Sequence, residues 1–105
     1  MNIHGNIWLN GPNGLKVGAG RKHLLDAIRH TGSISAAAKK TGMSYRHAWE
    51  MVEDMNRRSV VPLVEKATGG RFGGGARLTP EGEKVVAEFE DVSKRFKIFI
   101  ETARS

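Results

Sequence analysis

The densest run of chemically capable side chains is Ser44-Tyr45-Arg46-His47, with no carboxylate before Glu50. A hydroxyl, a phenol, a guanidinium and an imidazole in succession offer many hydrogen-bond donors and one permanent positive charge. Nothing in the sequence places a nucleophile beside a base, so this set is poorly equipped for bond-breaking chemistry, and no enzyme is expected. It is well equipped to hold double-stranded DNA, where arginine donates to guanine edges and hydroxyl, phenol and imidazole groups reach bases or phosphates.

Such residues act together only if the first turn of a helix presents them. Residues 33–57 have the pattern of a short helix, a glycine turn and a second amphipathic helix. Ala36, Ala37 and Ala38 provide the small side chains that two crossing helices need, and Gly42 tolerates the positive φ of the turn. Ser33 or Ser35 starts the first of these helices. Ser44 caps the second, with Met43 as the apolar residue before the cap. Tyr45, Ala48, Trp49, Val52 and Met55 recur on one face; Arg46, His47, Glu50, Asp54 and Arg57 occupy the other. This is the layout of a helix-turn-helix whose second helix enters the major groove at its N-terminal end. An ordinary helical hairpin has a similar pattern, and context has to separate the two.

Composition supplies part of that context. The chain has 105 residues and no cysteine, which removes thiol chemistry, cysteine-ligated zinc and disulfides together. Its 17 basic residues against 11 acidic ones give a net charge of +6, which favours a polyanionic partner. His4, His23, His30 and His47 include no i, i+4 pair, so neither metal nor cofactor is expected. No apolar run approaches the ~20 residues of a membrane span, and the N-terminus lacks a signal-peptide pattern; a cytoplasmic protein is the expectation.

Upstream, Ile7, Leu9, Leu15 and Val17 flank Asn10-Gly11-Pro12-Asn13-Gly14, which predicts a β-hairpin or edge strand. Leu24, Leu25 and Ile28 then mark a helix closed by Gly32. Gly18-Ala19-Gly20 resembles the start of a dinucleotide fingerprint, but the third glycine position is His23.

Downstream, Pro62 ends the helical pattern and Leu63-Val64-Glu65 reads as extended. Thr68 to Gly75 holds five glycines in seven residues, with Ala76-Arg77-Leu78 as a return strand. A loop between two strands fits, and beside a helix-turn-helix it forms a wing over 63–79. Arg71 and Arg77 are its candidate phosphate or minor-groove contacts, against the alternative of incidental arginines on a surface loop. The lysine and hydroxyl residue of a phosphate-cradling loop are missing. Thr79-Pro80-Glu81-Gly82-Glu83 starts a helix over about 80–102, with Glu83 near the capping-box position. Val85, Phe89, Val92, Phe96 and Phe99 step along it by 4, 3, 4 and 3, a heptad seam. Val86 and Ile100 widen that stripe, so part of it can pack on the chain's own core. Self-association through this helix is the expectation, with the N-terminal hairpin able to add to the interface.

GSISAAAKKTGMSYRHAWEMVEDMN followed by LVEKATGGRFGGGARLTPEG resembles the N-terminal domain of the ModE family of molybdenum-dependent transcriptional regulators, whose winged helix is similar to that of LysR-type regulators. The resemblance covers roughly residues 20–89. Its most specific parts are the serine-tyrosine-basic-x-alanine-tryptophan start of the second helix and the threonine-glycine-glycine wing. It implies a mainly α fold with a small β-wing and a long C-terminal dimerisation helix, binding palindromic operators as a homodimer. Ser33, Ser35, Ser44, Tyr45, Arg46 and His47 fall on its DNA-reading segments, and Arg71 on the basic position of the wing. Phe72 departs from the family's glycine-only tip. Regulators of the family carry a further C-terminal region that binds molybdate or tungstate; since the sequence stops at Ser105, no small-molecule effector is expected within it.

Other residues carry two readings. Trp49 is expected in the core rather than stacking on bases. Tyr45 can pack its ring inward while its hydroxyl reaches a phosphate. His47 can contact DNA or be solvated, and Lys39 and Lys40 can touch phosphates or complement a helix dipole. The leading expectation is a sequence-specific regulator forming homodimers on an inverted repeat. The alternatives are a nonspecific DNA-architectural protein and an interaction module partnering a full-length regulator.

Overall fold

The computed structural model describes residues 1–67 and 75–103. In chain order these form β1 (Leu9–Asn10), β2 (Lys16–Val17), α1 (Ala19–Thr31), α2 (Ile34–Thr41), α3 (Tyr45–Arg58), β3 (Val64–Ala67), β4 (Gly75–Leu78) and α4 (Pro80–Ala103). The fold is mostly helical with two small antiparallel ribbons, β1 with β2 and β3 with β4. The first pairs Leu9 with Val17 across a tight turn at Pro12–Gly14. In the second, Val64 faces Leu78, Glu65 faces Arg77 and Lys66 faces Ala76. The paired strand therefore begins one residue later than Leu63, which is buried ahead of it.

One core serves all these elements. Leu24, Leu25 and Ile28 of α1 pack with Ala37 and Ala38 of α2 and with Ala48, Val52 and Met55 of α3. Leu63, Val64, Ala76 and Leu78 close one side, and Val86 and Phe89 of α4 another. Gly32 and Gly42 both adopt the left-handed conformation expected of them, so α1 and α2 stop where the sequence indicates.

Trp49 corrects the sequence expectation. It is 40% exposed, not core, and Tyr45 is 55% exposed. The buried stripe of α3 is narrower than its apolar composition suggests, because Ala48, Val52 and Met55 alone fill the space against α1 and α2. Thr79 caps α4 by accepting from the Gly82 N–H at 3.0 Å, so Gly82 holds the capping-box position and Glu83 follows it by one residue, its carboxylate accepting from Arg29 of α1 at 3.1 Å.

Gly82 has its own reason. The carbonyl oxygen of Leu63 lies 2.2 Å from where a Cβ at position 82 would stand. Only glycine lets α4 cross this close to backbone. On an open helix, glycine to alanine gains up to ~1 kcal/mol. Here Gly82→Ala is expected to destabilise by about 1–3 kcal/mol through overpacking, measured by urea unfolding; a gain in stability would refute the close crossing.

Asp54 joins three parts of the chain. Its carboxylate accepts from Arg58 at 2.8 Å, from Arg21 of α1 at 2.7 Å and from Arg57 at 2.7 Å. Arg58 also donates to the Asn13 carbonyl in the N-terminal turn at 3.1 Å. The hydrogen bonds from Arg58 and then Arg21 lower the carboxyl of Asp54 to about 2. A carboxyl lowered in this way adds stability above its unfolded value of ~3.9 and loses that contribution as pH falls towards about 2. Thermal unfolding between pH 5 and pH 2 is therefore expected to show a steeper acid loss for the wild type than for Asp54→Asn, and parallel curves would remove Asp54 from this role.

Candidate nucleic-acid interface

The helix-turn-helix is built by two serine caps and one glycine. Ser33 accepts from the Ala36 N–H at 2.9 Å and Ser44 from the His47 N–H at 3.1 Å, so two of the three candidate DNA-facing serines also start their helices, while Ser35 lies within α2. At Gly42 the α2 helix closes with the Met43 N–H donating to the Ala38 carbonyl at 2.9 Å, which turns the chain sharply into α3. Buried Ala37, Ala38 and Ala48 let the two helices approach.

This construction leaves Tyr45, Arg46 and His47 exposed on the first turn of α3, with Arg46 opposite the side that carries Ala48, Val52 and Met55 and Tyr45 at its edge. Arg46 has the most open of the paired side chains, 89% exposed, and its Nε donates to Glu50 at 3.1 Å. Ser35 and Lys39 are also exposed on α2. Neither α2 nor α3 has an acidic residue in its first turn, whereas α4 has Glu81 and Glu83. The positive ends of the two helix-turn-helix dipoles thus lack the carboxylates that stabilise α4.

The β3–β4 ribbon stands beside α3 and is fastened to it. Asn56, in the last turn of α3, accepts from the Leu63 and Val64 N–H groups at 2.9 and 3.1 Å and donates to the Val64 carbonyl at 2.9 Å. Lys66 of β3 lies over the Trp49 ring, 4.8 Å from its centroid, and pairs with Glu53 of α3. On the other strand, the Ala76 N–H donates to the Gly32 carbonyl at 2.8 Å, tying the ribbon to the corner between α1 and α2. Arg77 points out from β4, 81% exposed, with its Nε on Glu65 at 3.1 Å. Arg71 and Phe72 lie outside the described residues.

Sequence reasoning gave no role to Asn56 or Lys66. Asn56 falls eight residues after Ala48 and four after Val52, on the edge of the buried stripe, and a polar side chain at such a position signals a tertiary hydrogen bond. Lys66 carries no comparable signal, because its partners come from another element.

The proposed seam divides along its length. Val85 is half-buried against the core and Phe89 is buried within it. Val92 and Phe96 are half-buried, and Phe96 lies beside Gly5 of the N-terminal segment. Phe99 is 58% exposed and stacks on Phe96 at a centroid distance of 6.3 Å; Ile98 is 53% exposed. The chain's own core thus takes the first two members, and the outer end of α4 carries the uncovered apolar surface.

Among the described residues, no group of three or more histidines, cysteines or carboxylates is placed to hold a metal, and no helix is long and apolar enough to cross a membrane.

Comparison with known proteins assigns this architecture. In solved structures, the chain is similar to a MarR family transcription regulator with a TM-score of 0.64 and 19% identity, over 82% of this chain and 58% of the other, a likeness of fold. Among curated proteins, it is 53% identical over 76 residues to the molybdenum-pterin-binding protein MopB of Rhodobacter capsulatus, covering 72% of this chain and 28% of MopB. It is 52% identical to the transcriptional regulator ModE of Yersinia pestis over 64% of this chain and 26% of that protein. To the DNA-binding transcriptional dual regulator ModE of Escherichia coli K12 it is 46% identical, over 67% and 27%. The chain therefore spans about a quarter of the length of these relatives. Residues 21–83, which run from α1 through the first turn of α4, match the family described as bacterial regulatory helix-turn-helix proteins of the lysR family, and the chain belongs to that family.

Proposed function

We propose that this chain is the DNA-reading part of a ModE-type transcriptional regulator and acts as a homodimer on an inverted-repeat operator. The observation that carries the reading is the first turn of α3: Tyr45, Arg46 and His47 stand exposed at a helix N-terminus that has no acidic residue. In this reading α3 enters the major groove, with Arg46 on a base edge and Ser44, Tyr45 and His47 on bases or phosphates. Ser33, Ser35 and Lys39 of α2 contact the backbone. Arg77, with Arg71 of the glycine-rich segment, holds the flanking DNA. A link to molybdenum comes with the names of the relatives, among them a molybdenum-pterin-binding protein.

The dimer reading rests on the outer half of α4, where Phe99 and Ile98 leave apolar surface in water. A two-fold axis there would set two α3 helices on successive major grooves, about one helical turn apart.

Selection of genomic fragments by the purified protein at near-physiological salt is expected to enrich an inverted repeat. Binding without enrichment would favour an architectural protein, and absence of binding would favour an interaction module. On the selected site, Arg46→Ala is expected to reduce discrimination by about 1–3 kcal/mol; equal weakening on all sequences with a shallower salt slope would make Arg46 a phosphate contact. Phe99→Asp is expected to sediment as a monomer and to lose preference for the full repeat over a half-site, whereas an intact dimer would place the interface elsewhere.

A further inference from the structure

The Arg46–Glu50 pair does little for the fold. Both side chains are largely exposed, at 89% and 55%. An exposed i, i+4 pair contributes only a few tenths of a kcal/mol, and the order here, with the cation nearer the N-terminus, runs against the helix dipole. Its effect is geometric. Glu50 follows Arg46 by one turn on the face of α3 opposite the buried stripe, and its carboxylate takes the Nε hydrogen of the guanidinium at 3.1 Å. The two terminal nitrogens, Nη1 and Nη2, have no partner among the described residues. Those are the atoms that donate end-on, in parallel, to O6 and N7 of guanine.

We infer that Glu50 is a positioning residue for recognition: by holding Nε it orients Arg46 so that the terminal fork faces a guanine, and it thereby sets sequence preference at one base pair of each half-site. This rests on the DNA-reading function proposed above. An arginine has several rotatable bonds, and restricting them before contact reduces the ordering that binding must impose. The same carboxylate repels phosphates wherever Arg46 finds no guanine, so it lowers affinity for unrelated DNA. Glu50 therefore acts in opposite directions on cognate and unrelated sequences.

The test measures binding of the full chain to its selected operator, to that operator changed at each base pair, and to unrelated DNA, for the wild type, Glu50→Gln, Arg46→Ala and the double variant. Circular dichroism establishes that each variant is folded. The expected result for Glu50→Gln is roughly tenfold lower discrimination at one G·C pair per half-site, together with tighter binding to unrelated DNA. In the Arg46→Ala background the same change should leave discrimination at that pair unaltered, since the residue it positions is gone. A uniform rise in affinity with unchanged discrimination would reduce Glu50 to simple repulsion and overturn the proposal. Equal losses of discrimination in both backgrounds would assign Glu50 a base contact of its own and overturn it as well. A wild-type protein that selects no operator would overturn the DNA-reading function itself, and is distinguished by failing before any variant is compared.

Discussion

The segment around Leu63 is the joint on which the arrangement of α3, the β3–β4 ribbon and α4 depends. Its N–H donates to Asn56 of α3, its carbonyl accepts from the Thr79 N–H at 3.0 Å, and the same carbonyl lies under Gly82 of α4. The Thr79 hydroxyl adds a bond to the Pro62 carbonyl at 2.6 Å while capping α4. Each buried backbone group left unpaired here would cost about 1–3 kcal/mol, so the local network strongly favours one geometry. Apolar burial around Val64, Leu78 and Val86 supplies the attraction between these elements, and the hydrogen bonds fix their register.

Charge is distributed according to two different requirements. On the side where α1 meets α4, opposite charges are matched: Lys22 with Asp26 and Glu90, Arg29 with Asp26 and Glu83. On the side of α3 and the ribbon, Arg46–Glu50 and Arg77–Glu65 are formed from more exposed groups, while Lys66–Glu53 is about as exposed as Arg29–Glu83. Exposed pairs of this kind add little to stability, so the matched charges between α1 and α4 contribute more to holding the fold than those on α3 and the ribbon.

Local signals in the sequence were sufficient for the turns and caps. Gly32, Gly42, Ser44 and Thr79 perform the roles their residue types indicate, because each role depends on one residue and its immediate neighbours. Trp49 was misread because helical periodicity reports which residues share a face, while the width of the buried stripe depends on what packs against it. The same limit applies to the α4 seam. Heptad spacing joins Phe89 to Phe99, yet the first is buried in the chain's own core and the second is exposed, since the core reaches only the inner half of the helix and the N-terminal segment beside Phe96 leaves Phe99 uncovered. Asn56 and Lys66 act between elements distant in sequence, and for Lys66 no nearby residue announces the contact.

The length of α4 gives the crossing at Gly82 a mechanical meaning. About 21 residues of helix lie beyond that point, a rigid rod of roughly 30 Å at ~1.5 Å per residue. A change of about 10° in the crossing angle would sweep its far end through roughly 5 Å, comparable to one turn of α-helix. If two such rods clasp each other at their tips, the distance between the paired heads follows that crossing angle, which Gly82 permits and the burial of Val86 and Phe89 holds. Half-site spacing would then be encoded far from any nucleotide, in the packing around one missing methyl group.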